Sequence, residues 1–149
     1  MSEIFNNIKD HSARDTGEIF IRYFPSRQRI GIFIADCGCG IPAAVRRVLP
    51  DLDDNQAILR AVQLGFTSQS TRGNYGIGLD YFLATVILAN GGTVTIYSLN
   101  GHVLFYRSSG VIASRVLSTK GYCPGTVIDI SLRTDTIEHL DDEPEDLEW

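Results

Sequence analysis

The chain has 149 residues, 44% hydrophobic and 21% charged, with a formal net charge of -5. That suits one domain with a real hydrophobic core. It excludes a helical membrane span, since no apolar run approaches the roughly 20 residues needed. It also offers neither a basic-then-apolar leader nor a basic run interleaved with aromatics of the kind nucleic-acid binders use, so a cytoplasmic protein without a membrane or nucleic-acid partner is expected.

Residues 2–11 read as a helix, with Ile4, Phe5 and Ile8 on one face and Glu3, Asn7, Asp10 and His11 on the opposite arc. Residues 18–24 and 29–35 read as strands joined by a hairpin turn at Pro25-Ser26-Arg27-Gln28. Residues 42–49 form a short helix opened by Pro42, and Asp53 or Asp54 caps a second one running to about Leu64. The stretch from Gly65 to Asn74 is polar and rich in Gly, Ser and Thr, hence a loop. Gly78 to Ala89 is an apolar helix stopped by Asn90-Gly91-Gly92. The period then changes to that of strands, at 93–98, 102–107 and 127–132, with a further strand over 111–117 and a hairpin signal at Asn100-Gly101. Helix, hairpin, helices and then antiparallel strands imply an α+β fold, with helices on one face of a mixed, mostly antiparallel sheet.

The charge is uneven. The last sixteen residues, Thr134 to Trp149, hold eight acids and no Lys or Arg, which leaves a mildly basic body. That tail reads as a solvated end or, through Leu147 and Trp149, as a docking segment for a partner. Cys37 and Cys39 are too close for an ordinary disulfide, and with Cys123 they read as reduced thiols.

Three stretches carry candidate chemistry. Glu3 and Asn7 lie one helical turn apart, where a carboxylate can polarise a water beside an Mg²⁺ ion bound by the amide oxygen. Taken alone, the pair is better explained by a plain polar helix face. Asp36-Cys37-Gly38-Cys39-Gly40 ends an apolar strand. An Asp there can accept a hydrogen bond from the exocyclic amine of adenine, and the glycines let backbone approach a flat ring. A tight turn is one alternative. A dinucleotide fingerprint is another, because Gly38 to Ala43 fits G-x-G-x-x-A after a strand. That fingerprint requires a second parallel strand ending in an acid about 20 residues on, whereas residues 44–64 read as helical. A zinc site at Cys37 and Cys39 lacks a second pair of ligands at zinc spacing.

The third stretch is Gly73-Asn74-Tyr75-Gly76-Ile77-Gly78-Leu79, glycines just before a helix, whose exposed N–H groups suit phosphate. Thr67, Ser68, Ser70 and Arg72 precede it within reach of phosphate oxygens. A glycine-rich connection without function is the alternative. Thr126 opens the last strand. It is an ordinary strand residue, or a hydroxyl placed beside Asp36 across the sheet.

In this order, the three motifs resemble the ATP site of the GHKL superfamily (gyrase, the heat-shock chaperone ATPase, histidine kinases and MutL). The likeness runs from Glu3 to about Leu132, and is greatest to small stand-alone bacterial members whose first motif ends in His-Ser, here His11-Ser12. The resemblance implies a two-layer Bergerat-type sandwich over residues 1–133, followed by the acidic tail 134–149. It implies ATP and Mg²⁺ as ligands, Glu3 as general base, Asn7 as the metal ligand and Asp36 as the adenine reader. Gly38, Gly40 and Ile41 would line the base pocket with support from Thr126. Gly76 and Gly78 would hold the phosphates, residues 65–75, with Thr67, Ser68, Arg72, Gly73 and Tyr75, would form the lid, and Ile77 and Leu79 would complete the nucleotide-binding set. Histidine kinases of the superfamily usually carry Asn where this chain has Glu3, which tilts the likeness towards hydrolysis.

Two features depart from the family. Glu3 falls in the first turn of its helix, where helices fray, so slow hydrolysis is expected. His11, His102 and His139 lack the setting of a phosphoacceptor. The functions implied are slow ATP hydrolysis with lid closure coupled to a protein partner, a serine or histidine kinase acting on a separate chain, or a non-catalytic nucleotide sensor. A plain interaction domain is the remaining alternative, and a homodimer fits all of these.

Overall fold

The computed structural model describes residues 17–63, 78–118 and 121–136. The expected helix over 2–11, the loop 65–74 and most of the tail lie outside them. Strands β1 (Gly17–Phe24) and β2 (Arg29–Asp36) come first, joined by a 3₁₀ turn at Pro25–Arg27. Helices α1 (Ile41–Arg46) and α2 (Asp54–Ala61) follow. Helix α3 (Gly78–Leu83) continues as a wider π-helical turn over Ala84–Ala89. Strands β3 (Thr93–Leu99), β4 (Gly101–Ser108), β5 (Val111–Val116) and β6 (Cys123–Arg133) complete the order.

The strands form one sheet in the order β1-β2-β6-β3-β4-β5. Every ladder among the described residues is antiparallel. The last strand to be made, β6, inserts between β2 and β3, so the sheet's centre closes late in the chain.

Strand periodicity explains the core. Ile32 and Ile34 of β2, Ile128 and Ile130 of β6, Val94 and Ile96 of β3, and Val103 and Phe105 of β4 are buried and share one face by register. Against that face pack Ile58 of α2 and Leu83, Val86 and Ile87 of the third helix. The fold is therefore an α+β sandwich with its helices on one side of an antiparallel sheet. No described helix is long and apolar enough to cross a membrane.

Local signals set most boundaries. Asp53 caps α2 through a full capping box with Gln56: its carboxylate accepts from the Gln56 N–H at 2.8 Å, and Gln56 Oε1 accepts from the Asp53 N–H at 3.0 Å. Gly91, at φ 72, ends the third helix as expected. Ser109 and Gly110 both take positive φ and form a two-residue hairpin between β4 and β5.

The Asn100-Gly101 hairpin forms differently from the expected one. Ser98 pairs with Gly101, so the turn residues are Leu99, at φ 54, and Asn100. Gly101 is needed for space rather than for its φ. A Cβ there would lie 2.7 Å from Ile58 Cδ1 and 2.8 Å from the Asp54 carbonyl.

Asp54 ties this corner together. Its carboxylate accepts from Arg46 Nη1 at 2.6 Å, from the Asn100 N–H at 2.9 Å and from Asn100 Nδ2 at 3.1 Å. Burial alone would raise its pKa, but these donors and the Arg46 charge together hold it below the usual 3.8. The resulting stability is present above 3.8 and is lost as pH falls through the lower folded value. Asp54→Ala is expected to cost about 1–2 kcal/mol at pH 7, since it leaves the part-buried Arg46 guanidinium without its carboxylate partner while the exposed Asn100 donors turn to water. The deficit should shrink below pH 4 in urea unfolding curves, where the parent loses the same interactions.

Candidate functional site

Three inward apolar stripes end in polar residues at the same level of the sheet. On β2, Ile32 and Ile34 lead to Asp36; on β6, Ile130 and Ile128 lead to Thr126; on β3, Val94 and Ile96 lead to Ser98. These residues are neighbours by register, Asp36 opposite Thr126 and Thr126 opposite Ser98. Paired residues on one face have Cβ atoms roughly 4.5–5.5 Å apart. A carboxylate and two hydroxyls therefore form a short polar row where the apolar core stops.

Ser98 holds the row together. It is fully buried. Its Oγ donates to the Gly125 carbonyl at 2.7 Å and accepts from the Ile41 N–H at 2.9 Å. A hydroxyl has one proton, so the 3.2 Å contact with Thr126 Oγ1 must be a hydrogen bond donated by Thr126. Thr126 has then spent its only proton and presents lone pairs. It is an acceptor, like the carboxylate beside it.

The segment after Asp36 is pinned at both ends. The Gly38 N–H donates to Asp36 Oδ1 at 2.7 Å, an Asx turn that orients the carboxylate. The Ile41 N–H bonds Ser98, and α1 begins there. Backbone packs directly on backbone at this point. Gly125, at φ 90, would bring a Cβ to within 2.1 Å of the Asp36 carbonyl oxygen, and Gly40, at φ 80, would bring one to 2.8 Å from Ser98 Oγ. The β3–β6 register shifts between Ser98 and Leu99, and this bulge turns the Gly125 carbonyl towards Ser98.

Cys37, Cys39 and Cys123 are free thiols. Burial pushes the Cys123 thiol up, and the nearby negative charge of Asp36 adds to the rise, so it stays protonated and weakly nucleophilic at neutral pH. No cluster of three or more His, Cys, Asp or Glu among the described residues can hold a metal ion.

Asp36, Gly38, Gly40, Ile41 and Thr126 are thus brought to one place. Gly78 opens α3, and Leu79, like Ile41, packs against the core cluster. Glu3, Asn7, Thr67, Ser68, Arg72, Gly73, Tyr75, Gly76 and Ile77 lie outside the described residues. Ser98 is the member sequence reasoning missed. Its signal was a polar residue at an inward position of an otherwise apolar stripe. The dinucleotide alternative fails on topology, because β2 lies between two antiparallel neighbours and is followed by two helices rather than by a parallel strand.

No protein-family model and no curated protein matches the chain. Among solved structures, the B-subunit of the DNA gyrase from Myxococcus xanthus is similar, at TM-score 0.46 and 12% identity, over 91% of this chain and 36% of that one. So loose a likeness transfers no function from that subunit to this chain.

Proposed function

We propose that the chain is an Mg²⁺-dependent ATP-binding domain that hydrolyses ATP slowly and signals its nucleotide state to a protein partner. The observation that carries this reading is the pair of acceptors, Asp36 and Thr126, fixed side by side at the ends of adjacent strands. Their chemistry fits adenine, whose six-position amine is a donor. The Asx turn holds the carboxylate towards that amine, and Thr126 accepts from it or from a bridging water. Gly38 and Gly40 keep side chains out of the way of a flat ring.

The remaining roles follow from the sequence motifs. Gly73 to Leu79 would bind phosphate oxygens through backbone N–H groups. Thr67, Ser68 and Arg72 would close over them. Asn7 would hold Mg²⁺, which neutralises phosphate charge, and Glu3 would draw a proton from water. Ordering of residues 65–75 around the terminal phosphate would alter a surface that a partner reads.

Calorimetric titration with a non-hydrolysable ATP analogue tests the reading. Saturable binding that tightens on adding Mg²⁺ is expected. Absence of binding with and without Mg²⁺ would overturn it.

A further inference from the structure

Among the described residues, strand β1 is an edge of the sheet, with β2 as its one strand neighbour. An edge strand offers a row of unpaired backbone groups, and proteins normally blunt it with lysines, prolines or bulges. β1 has none of these. Its sequence is Gly-Glu-Ile-Phe-Ile-Arg-Tyr-Phe, paired with β2 along its whole length without a register break. Its helix-side face is apolar, its other face alternates Glu18, Phe20, Arg22 and Phe24, and both are open: Ile19 is 45%, Ile21 60% and Tyr23 56% exposed on the helix side, and Phe20 is 60% exposed on the other.

The opposite edge differs. β5 carries one charged residue, Arg115, and no acid to meet it in a second copy.

We infer that β1 is a self-association edge, and that two copies of the chain pair β1 against β1, antiparallel and centred on Phe20. The charges select this register. Antiparallel neighbours must share a face, and a two-fold axis must pass through one residue position. Centred on Phe20, Glu18 of each copy meets Arg22 of the other, Ile19 meets Ile21, and Phe20 meets itself. Centring on Ile21 would set Phe20 against Arg22 and Glu18 against Phe24. Centring on Glu18 or on Arg22 would put like charges face to face. Only the Phe20 register pairs both charges and keeps the apolar side chains together. The two sheets then run on as one, with the helix layers on the same side.

Sedimentation of the full-length chain over a concentration series tests this, with circular dichroism confirming that each variant folds. A reversible dimer is expected. Glu18→Arg and Arg22→Glu should each weaken it by about tenfold, since each turns two attractive cross-strand pairs into repulsive ones. Mixing the two variants should restore the dimer. One copy then carries two arginines and the other two glutamates, and every pair across the axis is attractive. A chain that stays monomeric, because residues 1–16 or nothing at all occupy the edge, would overturn the inference. So would a dimer unaffected by the two substitutions, or a mixture that recovers nothing. None of these readouts involves nucleotide, so the result stands apart from the functional proposal.

Discussion

Asp36→Asn is expected to weaken ATP binding by roughly 10- to 100-fold while leaving the fold in place, as one hydrogen bond to a charged group contributes about 1.5–3 kcal/mol. The substitution is isosteric. Asparagine keeps an oxygen at Oδ1, so the 2.7 Å bond from the Gly38 N–H survives and the Asx turn persists. The second position changes from an acceptor to an NH₂ donor. It then faces the adenine amine, donor against donor. The same change favours a purine with oxygen at the six position, to which the new NH₂ can donate. Inosine triphosphate should therefore bind the variant relatively better than it binds the parent, and the ATP-to-inosine-triphosphate ratio measured by calorimetry should fall. A merely structural role for Asp36 would lower both affinities together. A variant that binds ATP as tightly as the parent would remove Asp36 from base recognition.

The parts legible in the sequence were those with local causes. Runs of β-branched and aromatic residues on either side of a turn marked β1 and β2, and the structure places them at Gly17–Phe24 and Arg29–Asp36. The cap at Asp53 or Asp54 and the Asn90-Gly91-Gly92 stop are likewise local: Asp53 is the cap, in a box with Gln56 that sequence reasoning missed, and the stop formed. The last strand came out longer than expected, beginning at Cys123 rather than residue 127, because pairing with β3 extends it past Pro124 and Gly125. No local pattern announces a ladder with a strand more than twenty residues away. The π-helical turn over Ala84–Ala89 has no sequence signature either, since its apolar face serves an α-helix as well. Asp36 and Thr126 could each be singled out. The sequence also offered Thr126 as a neighbour of Asp36 across the sheet, and the register bears that out; the part Ser98 plays on the far side of Thr126 required β6 to insert between β2 and β3. That insertion is a tertiary event. The same holds for Gly101, whose missing side chain makes room for α2.

Gly125 carries the second large expectation. Two separate costs attach to a side chain here, and they can be measured apart. The backbone sits at φ 90, where an L-residue is strained, typically by about 1–2 kcal/mol. The added Cβ would also stand 2.1 Å from the Asp36 carbonyl oxygen and 2.9 Å from the Cys37 Cα, both of them backbone atoms. Neither can rotate aside, so the ends of β2 and β6 must separate. Gly110 isolates the first cost. It has φ 81, yet a Cβ there meets nothing within 4 Å. Gly110→Ala should therefore lose about 1 kcal/mol in urea unfolding, and Gly125→Ala about 3 kcal/mol or more, the excess being steric. Separation of the strand ends would also pull Thr126 from Asp36 and the Gly125 carbonyl from Ser98. Whatever Gly125→Ala retains of its fold, it should bind nucleotide poorly, whereas Gly110→Ala should bind as the parent does. Equal stability losses in the two variants would mean that the close approach of β6 to Asp36 is looser in solution, and that the polar row at the strand ends is not held as rigidly as base recognition demands.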